Sequence, residues 1–170
     1  MNYIRDIQLK QNNGYNAIIE IPKGTKRKYE LVDKSFDQLV EVRRMTHRYP
    51  YYYGCFTQTD ADDNDPLDFI LLTKRKFKSL DVVNVQPIAV VKTVDHDEID
   101  DKVICVLRDE NIKTDKLLKH TMKFLQSFKG KDSKTIVDPN LYGMDEAIKT
   151  LDRNHQTYMN NLQLKTIKIF

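Results

Sequence analysis

The first two-thirds of the chain places apolar and β-branched residues in short runs separated by turn residues, a pattern typical of β-strands. The first run ends at Pro22, which cannot donate to a sheet ladder. Because a turn at 22–25 follows, we expect the second run to pair with the first. A tyrosine-rich turn is predicted at 49–54. The predicted strands are residues 17–21, 28–32, 39–43, 67–73, 82–94 and 103–107.

The last third of the chain shows helical spacing instead. Apolar residues recur every three or four positions over 117–128, with Thr114 or Asp115 available as a cap and Gly130 to end the run. A second stripe of the same kind covers 144–162. Short strands followed by two helices predict an α+β domain with a closed or nearly closed barrel, which leaves few strand edges exposed.

Composition limits the class of protein. The 170 residues suggest one domain, 1–170, and 40% hydrophobic with 31% charged residues indicates a globular chain of net charge +3. No apolar signal segment opens the sequence, and no apolar run approaches a membrane span. Cys55 and Cys105 lack metal-ligand spacing and predict reduced thiols, which favours the cytoplasm. The five glycines form no phosphate-binding loop.

The sharpest local feature is the acidic stretch 60–68, in which Asp63, Asp65 and Asp68 lie within six residues. Carboxylates packed so closely repel one another unless cations neutralise them, and hard divalent cations prefer oxygen ligands. Pro66 places the cluster where a loop enters a strand. A solvated acidic loop is the alternative. An EF-hand is excluded, because the sixth and twelfth positions from Asp60 are not glycine and glutamate.

A second acidic stretch, 94–102, follows the predicted strand 82–94 and precedes the strand 103–107. Taken by itself, it predicts a hairpin loop. Its Asp100-Asp101-Lys102 also imitates the acid-x-Lys arm of a metal-dependent nuclease. Lys28 and Glu30 alternate on one strand and share a face, and Arg43 lies near the end of the next strand.

Taken in order, these motifs closely resemble the soluble family I inorganic pyrophosphatases. The family's Asp-x-Asp-Pro-x-Asp core stands here as residues 63–68. The resemblance runs from about Tyr15 to Leu162 and implies a small five-stranded OB-like β-barrel with two C-terminal helices. The other matching segments are Ile19-Glu20-Ile21-Pro22, Lys28-Tyr29-Glu30, Val42-Arg43, Tyr49-Pro50 with Tyr53-Gly54, the spacing of Asp95, Asp100 and Lys102, and Phe128-Lys129.

The resemblance also implies a reaction: hydrolysis of pyrophosphate to two phosphates by a water that Mg²⁺ activates, with Mn²⁺ as an alternative ion. Asp65 would orient that water and accept its proton. Glu30 would fix the basic residues beside it from outside the metal shell. The implied metal ligands are Glu20, Asp63, Asp68, Asp95 and Asp100. The implied substrate-binding residues are Lys28, Arg43, Tyr53, Lys102, Phe128 and Lys129.

One departure from the family concerns Phe128, where the family has a tyrosine. Losing one hydrogen bond to a charged group costs about 1.5–3 kcal/mol, so we expect weakened rather than abolished activity. The hydroxyl of Tyr51, a neighbour of the tyrosine turn, is a hypothetical substitute for the missing phenol.

Three alternatives stay open at this point: a degenerate pyrophosphatase homologue that acts as an interaction protein, a Mg²⁺-dependent nuclease, and a nucleic-acid-binding barrel. The tyrosines and a pI near 8.7 motivate the last one, but an acidic rim would repel backbone phosphates. We therefore expect pyrophosphate as the partner, without nucleic acid or membrane. The resemblance also implies a cytoplasmic homo-oligomer, either a dimer or a hexamer.

Overall fold

The computed structural model describes residues 1–31, 37–129 and 134–167, with the backbone alone for 128, 129, 166 and 167. Its helices are α1 Tyr3–Asp6, α2 Asp115–Lys129 and α3 Met144–Ile167. Its strands are β1 Lys10–Gln11, β2 Gly14–Ile21, β3 Arg27–Leu31, β4 Leu39–Arg44, β5 Tyr52–Phe56, β6 Asp68–Leu72, β7 Val82–Asp95, β8 Glu98–Ile99, β9 Lys102–Leu107 and β10 Thr135–Gly143.

Five strands close into a barrel in the order β2-β5-β6-β9-β7, and a second pairing of β7 with β2 completes the ring. The β6–β9 pair is parallel and the other pairs are antiparallel. Closure removes exposed edges from these strands. The interior is filled by large apolar side chains such as Phe56, Phe69 and Leu71. The predicted α+β barrel is therefore confirmed.

The long strand β7 joins several parts of the fold. Its first residues pair with β2, its middle pairs with β9, and its end pairs with β8 and β10. The register with β9 shifts between Pro87 and Ala89, because proline cannot donate to a ladder and forces a bulge. The strand β7 thus closes the barrel and continues beyond it to pair with β8 and β10.

Three strand predictions need correction. Within the described residues, β3 pairs with β4 rather than with β2, and the two form a ribbon of their own; Val32 lies outside those residues. The tyrosine stretch predicted as a turn contains β5. Gly54 suits that strand because an added Cβ would lie 1.9 Å from the carbonyl oxygen of Ile18. The strand β10 was not predicted, since Asp138-Pro139-Asn140 reads as a turn.

The two C-terminal helices cover the barrel as expected. Met122 and Leu125 of α2 pack in one cluster with Ile70 and Leu72, and α3 packs mainly against β7. The predicted end of the first helix, Gly130, lies outside the described residues. In the part of the chain that the structure describes, no helix combines the length and the apolar character that crossing a membrane requires.

Candidate active site

A cavity of about 400 Å³ opens at one mouth of the barrel, where the acidic loop, the β7–β8 hairpin, the β3–β4 ribbon and α2 meet. Its wall contains seven carboxylates and two Lys or Arg side chains among the residues that the structure describes. The carboxylates belong to Glu20, Glu30, Asp63, Asp65, Asp68, Asp95 and Asp100, and the cations are Lys28 and Arg43. Residues from distant parts of the sequence thus form one strongly acidic wall.

The centre of this wall is an ammonium group held between two carboxylates. Parallel pairing places Lys102 of β9 opposite Asp68 of β6. The Lys102 Nζ lies 2.5 Å from Asp68 Oδ2 and also contacts Asp100 Oδ1. Burial would lower the pKa of Lys102, but the charges of Asp68 and Asp100 outweigh burial and raise that pKa. The side chain of Lys102 is only 1% exposed, so it lies beneath the carboxylates rather than on the cavity wall.

Glu20 lies near the end of β2 and is the most deeply buried carboxylate of the cavity. Its Oε1 accepts a hydrogen bond from Leu31 N at 2.8 Å, which ties the barrel to the β3–β4 ribbon. Burial raises the pKa of Glu20 to about 8 although that hydrogen bond opposes the shift, and the charges of Asp68 and Glu30 add to the increase.

The acidic loop holds its carboxylates through local hydrogen bonds. Asp65 N donates to Asp63 Oδ1 at 3.0 Å, and Ala61 N donates to the carbonyl oxygen of Asp65 at 2.8 Å. Burial raises the pKa of Asp63, and the charges of Asp100 and Asp68 raise it further against the Asp65 N–H bond. The loop enters β6 at Asp68, as Pro66 predicted.

The donor set of the cavity fits hard divalent cations. Seven carboxylates facing two cations carry a negative charge that metal ions would neutralise, and carboxylate oxygen is the ligand that Mg²⁺ prefers. Among the described residues, no three Asp, Glu, His or Cys side chains already stand at ligand spacing around one point. Two of these carboxylates, Asp68 and Asp100, share the Lys102 ammonium as a partner.

The basic side of the cavity is carried by the β3–β4 ribbon. Lys28 and Arg43 are partners in the ladder, and the Lys28 ammonium forms an ion pair with Glu30 Oε1 on the same strand. Tyr53 of β5 also reaches the cavity, where its hydroxyl donates to Asp68 Oδ2 at 2.7 Å. These residues bring cationic and hydroxyl donors opposite the carboxylates.

Tyr49, His96 and Thr135 are among the cavity residues that the sequence reasoning did not assign. Tyr49 is 3% exposed, and its ring lies 6.0 Å from Tyr53 and 6.2 Å from Phe124, centroid to centroid. Its motif neighbour Tyr53 was assigned, so the same Tyr-Pro-x-x-Tyr segment could have indicated Tyr49. No signal of that kind marks Thr135, because its strand was not predicted.

The hypothesis that Tyr51 replaces the missing phenol is wrong. Its ring belongs to the cluster under α2, and its hydroxyl contacts His120 Nδ1 at 2.8 Å and the Leu117 carbonyl oxygen at 3.4 Å. These partners hold the hydroxyl on α2, and Tyr51 does not line the cavity. The side chains of Phe128 and Lys129, two predicted substrate-binding residues, lie outside what the structure describes.

A closed five-stranded barrel of this kind is an OB-like fold, and the carboxylates at its mouth suit divalent cations. Comparison with known proteins gives the family. Residues 17–159 match the family described as inorganic pyrophosphatase. The chain belongs to the inorganic pyrophosphatase family and is therefore an inorganic diphosphatase, which implies a divalent metal cofactor.

Individual relatives agree with this assignment. An inorganic pyrophosphatase of Methanosarcina acetivorans is 31% identical over 85% of this chain and 92% of its own length. A soluble inorganic pyrophosphatase of Chlamydomonas reinhardtii is 30% identical over 88% of this chain and 83% of its own. The crystal structure of a type I inorganic pyrophosphatase from Toxoplasma gondii shares the fold, with a TM-score of 0.83 at 19% identity over 94% of this chain and 88% of its own.

Proposed function

We propose that the chain, acting as one pyrophosphatase-like domain over residues 1–170, hydrolyses inorganic pyrophosphate to two phosphates with several Mg²⁺ ions. Mn²⁺ is the alternative ion. The observation that carries the proposal is the collection of seven carboxylates around one cavity that also contains Lys28 and Arg43. Such a wall repels a multiply charged anion unless metal ions are bound. With metal bound, Lys28 and Arg43 can bind the phosphate groups on the opposite side of the cavity.

The metal ligands in this proposal come from four parts of the chain that meet in the cavity. Mg²⁺, when bound, would lower the pKa of its bound water and place positive charge beside the oxygens of the substrate. The carboxylates that would hold the ions are those of Glu20, Asp63, Asp68, Asp95 and Asp100. Their spread over β2, the acidic loop, β6 and the β7–β8 region supports binding of more than one ion.

Asp65 is the residue that we assign to proton transfer. It lies in the acidic loop between two proposed ligands, Asp63 and Asp68, and lines the cavity. A carboxylate there would orient the attacking water and accept its proton. The hydrogen bond from Asp65 N to Asp63 Oδ1 fixes the backbone that carries this group.

The substrate would bind between the acidic wall and the β3–β4 ribbon. Arg43 would bind the leaving phosphate, since its planar guanidinium can contact two oxygens at once. Lys28, paired with Glu30, would bind the phosphate that is attacked. The remaining proposed substrate-binding residues are Tyr53, Phe128 and Lys129, and Lys102 would act on the substrate through its charge from beneath Asp68 and Asp100.

The alternatives from the sequence gain no support from the comparisons, since the matching family and the relatives described above are inorganic pyrophosphatases. We further propose that the protein works in the cytoplasm as a homo-oligomer. The buried free thiols of Cys55 and Cys105 support a reducing compartment.

Phosphate release from pyrophosphate with Mg²⁺ tests this proposal. Asp65→Asn keeps the size of the side chain and removes its basicity, so we expect kcat to fall by about 10²–10⁴-fold. Asp62→Asn is the matched control, because Asp62 lies in the same loop and does not line the cavity; its kcat should equal that of the wild type. Equal rates for all three proteins would contradict the assignment of Asp65.

A further inference from the structure

Asp95 stands at the end of β7, where two side chains converge on one of its carboxylate oxygens. Thr135 Oγ1 donates to Asp95 Oδ1 at 2.7 Å, and His96 Nδ1 contacts the same atom at 2.8 Å. An ionised carboxylate only accepts hydrogen bonds, so His96 donates to Asp95 in the tautomer or charge state that carries a proton on Nδ1. All three residues line the cavity.

The fold places each donor in a defined way. Thr135 begins β10, and the antiparallel pairing of β10 with β7 sets it directly opposite Asp95. The main-chain N–H of His96 donates to the carbonyl oxygen of Lys134 at 3.0 Å, which anchors the residue beside the same strand. The position of neither donor therefore depends on a long side chain that could adopt many rotamers.

The turn between β7 and β8 fixes His96 further. Asp95 pairs with Glu98, so His96 and Asp97 are the two central residues of a hairpin turn. Both have positive φ, 50° and 67°, the pattern of a type I′ turn. Glycine, asparagine and aspartate are the usual residues at such positions. A histidine there provides a ring donor that those residues lack.

From these contacts we infer that Thr135 and His96 are positioning residues that orient the Asp95 carboxylate for metal binding. The inference rests on the proposed role of Asp95 as a ligand. The terminal torsion of an aspartate is broad and roughly two-fold, so a carboxylate needs outside contacts to hold one orientation. Hydrogen bonds from outside the metal shell commonly change metal affinity by about 10–100-fold.

The contacts from Thr135 and His96 also determine how the second carboxylate oxygen of Asp95 is oriented. Two donors on Oδ1 hold that oxygen within the protein, so the orientation of the second oxygen, Oδ2, is set by the same contacts. A metal that binds beside Asp95 would meet a carboxylate whose geometry is already defined, which reduces the ordering cost of binding. The predicted consequence is tighter binding of one ion, the one that Asp95 holds.

The test measures Mn²⁺ affinity and stoichiometry by calorimetry and electron paramagnetic resonance, in the presence of imidodiphosphate, a pyrophosphate analogue that resists hydrolysis. Thr135→Val removes the hydroxyl at nearly constant volume, and we expect one ion to bind about 10-fold more weakly. Thr135→Ser should restore affinity to within about threefold. His96→Ala should weaken the same ion, and His96→Asn should restore part of the loss, because asparagine tolerates positive φ and retains an N–H donor.

Thr121→Val is the matched control. Its hydroxyl donates within α2 to the Leu117 carbonyl oxygen at 2.8 Å and lies away from the cavity wall, so ion affinity should not change. Thermal unfolding of each variant separates loss of folding from loss of affinity.

The outcomes distinguish this inference from the proposed function. If Asp95→Asn weakens one ion while Thr135→Val and His96→Ala bind it normally, the positioning role is wrong and the proposed ligand stands. If Asp95→Asn also binds all ions normally, Asp95 is not a ligand, and the inference fails together with that part of the proposal. Weakened binding in all three variants, with rescue by Thr135→Ser, confirms it.

Discussion

Six of the seven cavity carboxylates lie on strands of the closed barrel or on the loops that join them, whereas Lys28, Arg43 and Glu30 lie on the β3–β4 ribbon, whose strands pair with each other. Asp68, Asp100 and Lys102 are tied together within the barrel, and Lys102 is almost fully buried. The ribbon is joined to the barrel through contacts such as the Glu20–Leu31 hydrogen bond. We therefore expect changes on the barrel side to affect stability and metal binding together, and changes on the ribbon to affect substrate binding alone.

The largest effect is expected for Lys102→Met. Without the ammonium, Asp68 and Asp100 face each other with no cation between them, and breaking a buried ion pair costs about 3–5 kcal/mol. Urea denaturation in EDTA should show that loss in the free energy of unfolding. Excess Mg²⁺ should reduce the loss, because the cation can replace the ammonium as partner of Asp68 and Asp100 and would then stabilise the variant more than the wild type.

Lys10→Met is the control for this measurement. Lys10 forms an exposed pair with Asp152 at 2.9 Å, and such pairs contribute about 0–1 kcal/mol. Similar losses for both variants, or no response of Lys102→Met to Mg²⁺, would contradict the role given to the buried ammonium.

The next effect concerns the backbone of the barrel. Gly54→Ala would put a Cβ at 1.9 Å from the Ile18 carbonyl oxygen, and because that atom belongs to the β2 backbone, the strands must separate. We expect a loss of about 2–4 kcal/mol in the free energy of unfolding. Gly143→Ala, where an added Cβ meets no atom within 4 Å, should change stability by less than about 1 kcal/mol. Equal denaturation midpoints for both would argue against the close approach.

On the ribbon side, Arg43→Lys should raise KM by about tenfold and leave the unfolding midpoint unchanged. The ammonium keeps the charge but cannot bind two phosphate oxygens in one plane. Arg44→Lys is the matched control, since Arg44 is the next residue of β4 and does not line the cavity. An unchanged KM for Arg43→Lys, or a comparable rise for Arg44→Lys, would place substrate binding elsewhere.

The smallest effect is expected for Tyr49→Phe, which removes one buried hydroxyl near both sides of the cavity. A net hydrogen bond contributes about 0.5–1.5 kcal/mol, equivalent to about a two- to tenfold change in substrate affinity. Tyr52→Phe provides the comparison, because the Tyr52 hydroxyl accepts from Phe77 N at 3.1 Å outside the cavity. Unchanged substrate affinity in Tyr49→Phe, or an equal loss in Tyr52→Phe, would contradict a contact between the Tyr49 hydroxyl and the substrate.

The sequence predicted the barrel side of the molecule better than the connections around it. Apolar runs identified β7 and β9, and helical spacing identified α2 and α3, because burial imposes a period on each element. The pairing of β3 was predicted wrongly, since a turn after β2 suggests a local hairpin and tertiary contacts decided otherwise. β10 escaped prediction because turn-forming residues interrupt it, and its bulge between Val137 and Leu141 accommodates them.

The residues of the candidate site also divide into those that the sequence indicated and those that only the fold brought to the cavity. The acidic stretch alone indicated Asp63, Asp65 and Asp68, whereas Glu20, Glu30, Asp95 and Asp100 were assigned through the family resemblance. Tyr49 and His96 lie in segments that the sequence did single out, but Thr135 does not, and it reaches the cavity only through tertiary pairing. Thr135 reaches Asp95 by strand pairing over 40 positions of sequence, and no local pattern encodes that distance.

The central claim is that the cavity has a metal side and a phosphate side, and calorimetric titration with Mg²⁺ tests it most directly. Asp68→Asn and Arg43→Lys are each titrated without imidodiphosphate and then in its presence. The account predicts that Asp68→Asn weakens Mg²⁺ binding in both conditions. Arg43→Lys should bind Mg²⁺ as the wild type does and lose affinity for the analogue alone. Normal Mg²⁺ binding by Asp68→Asn, or weakened Mg²⁺ binding by Arg43→Lys in the absence of the analogue, would contradict the division of the cavity into a metal side and a phosphate side.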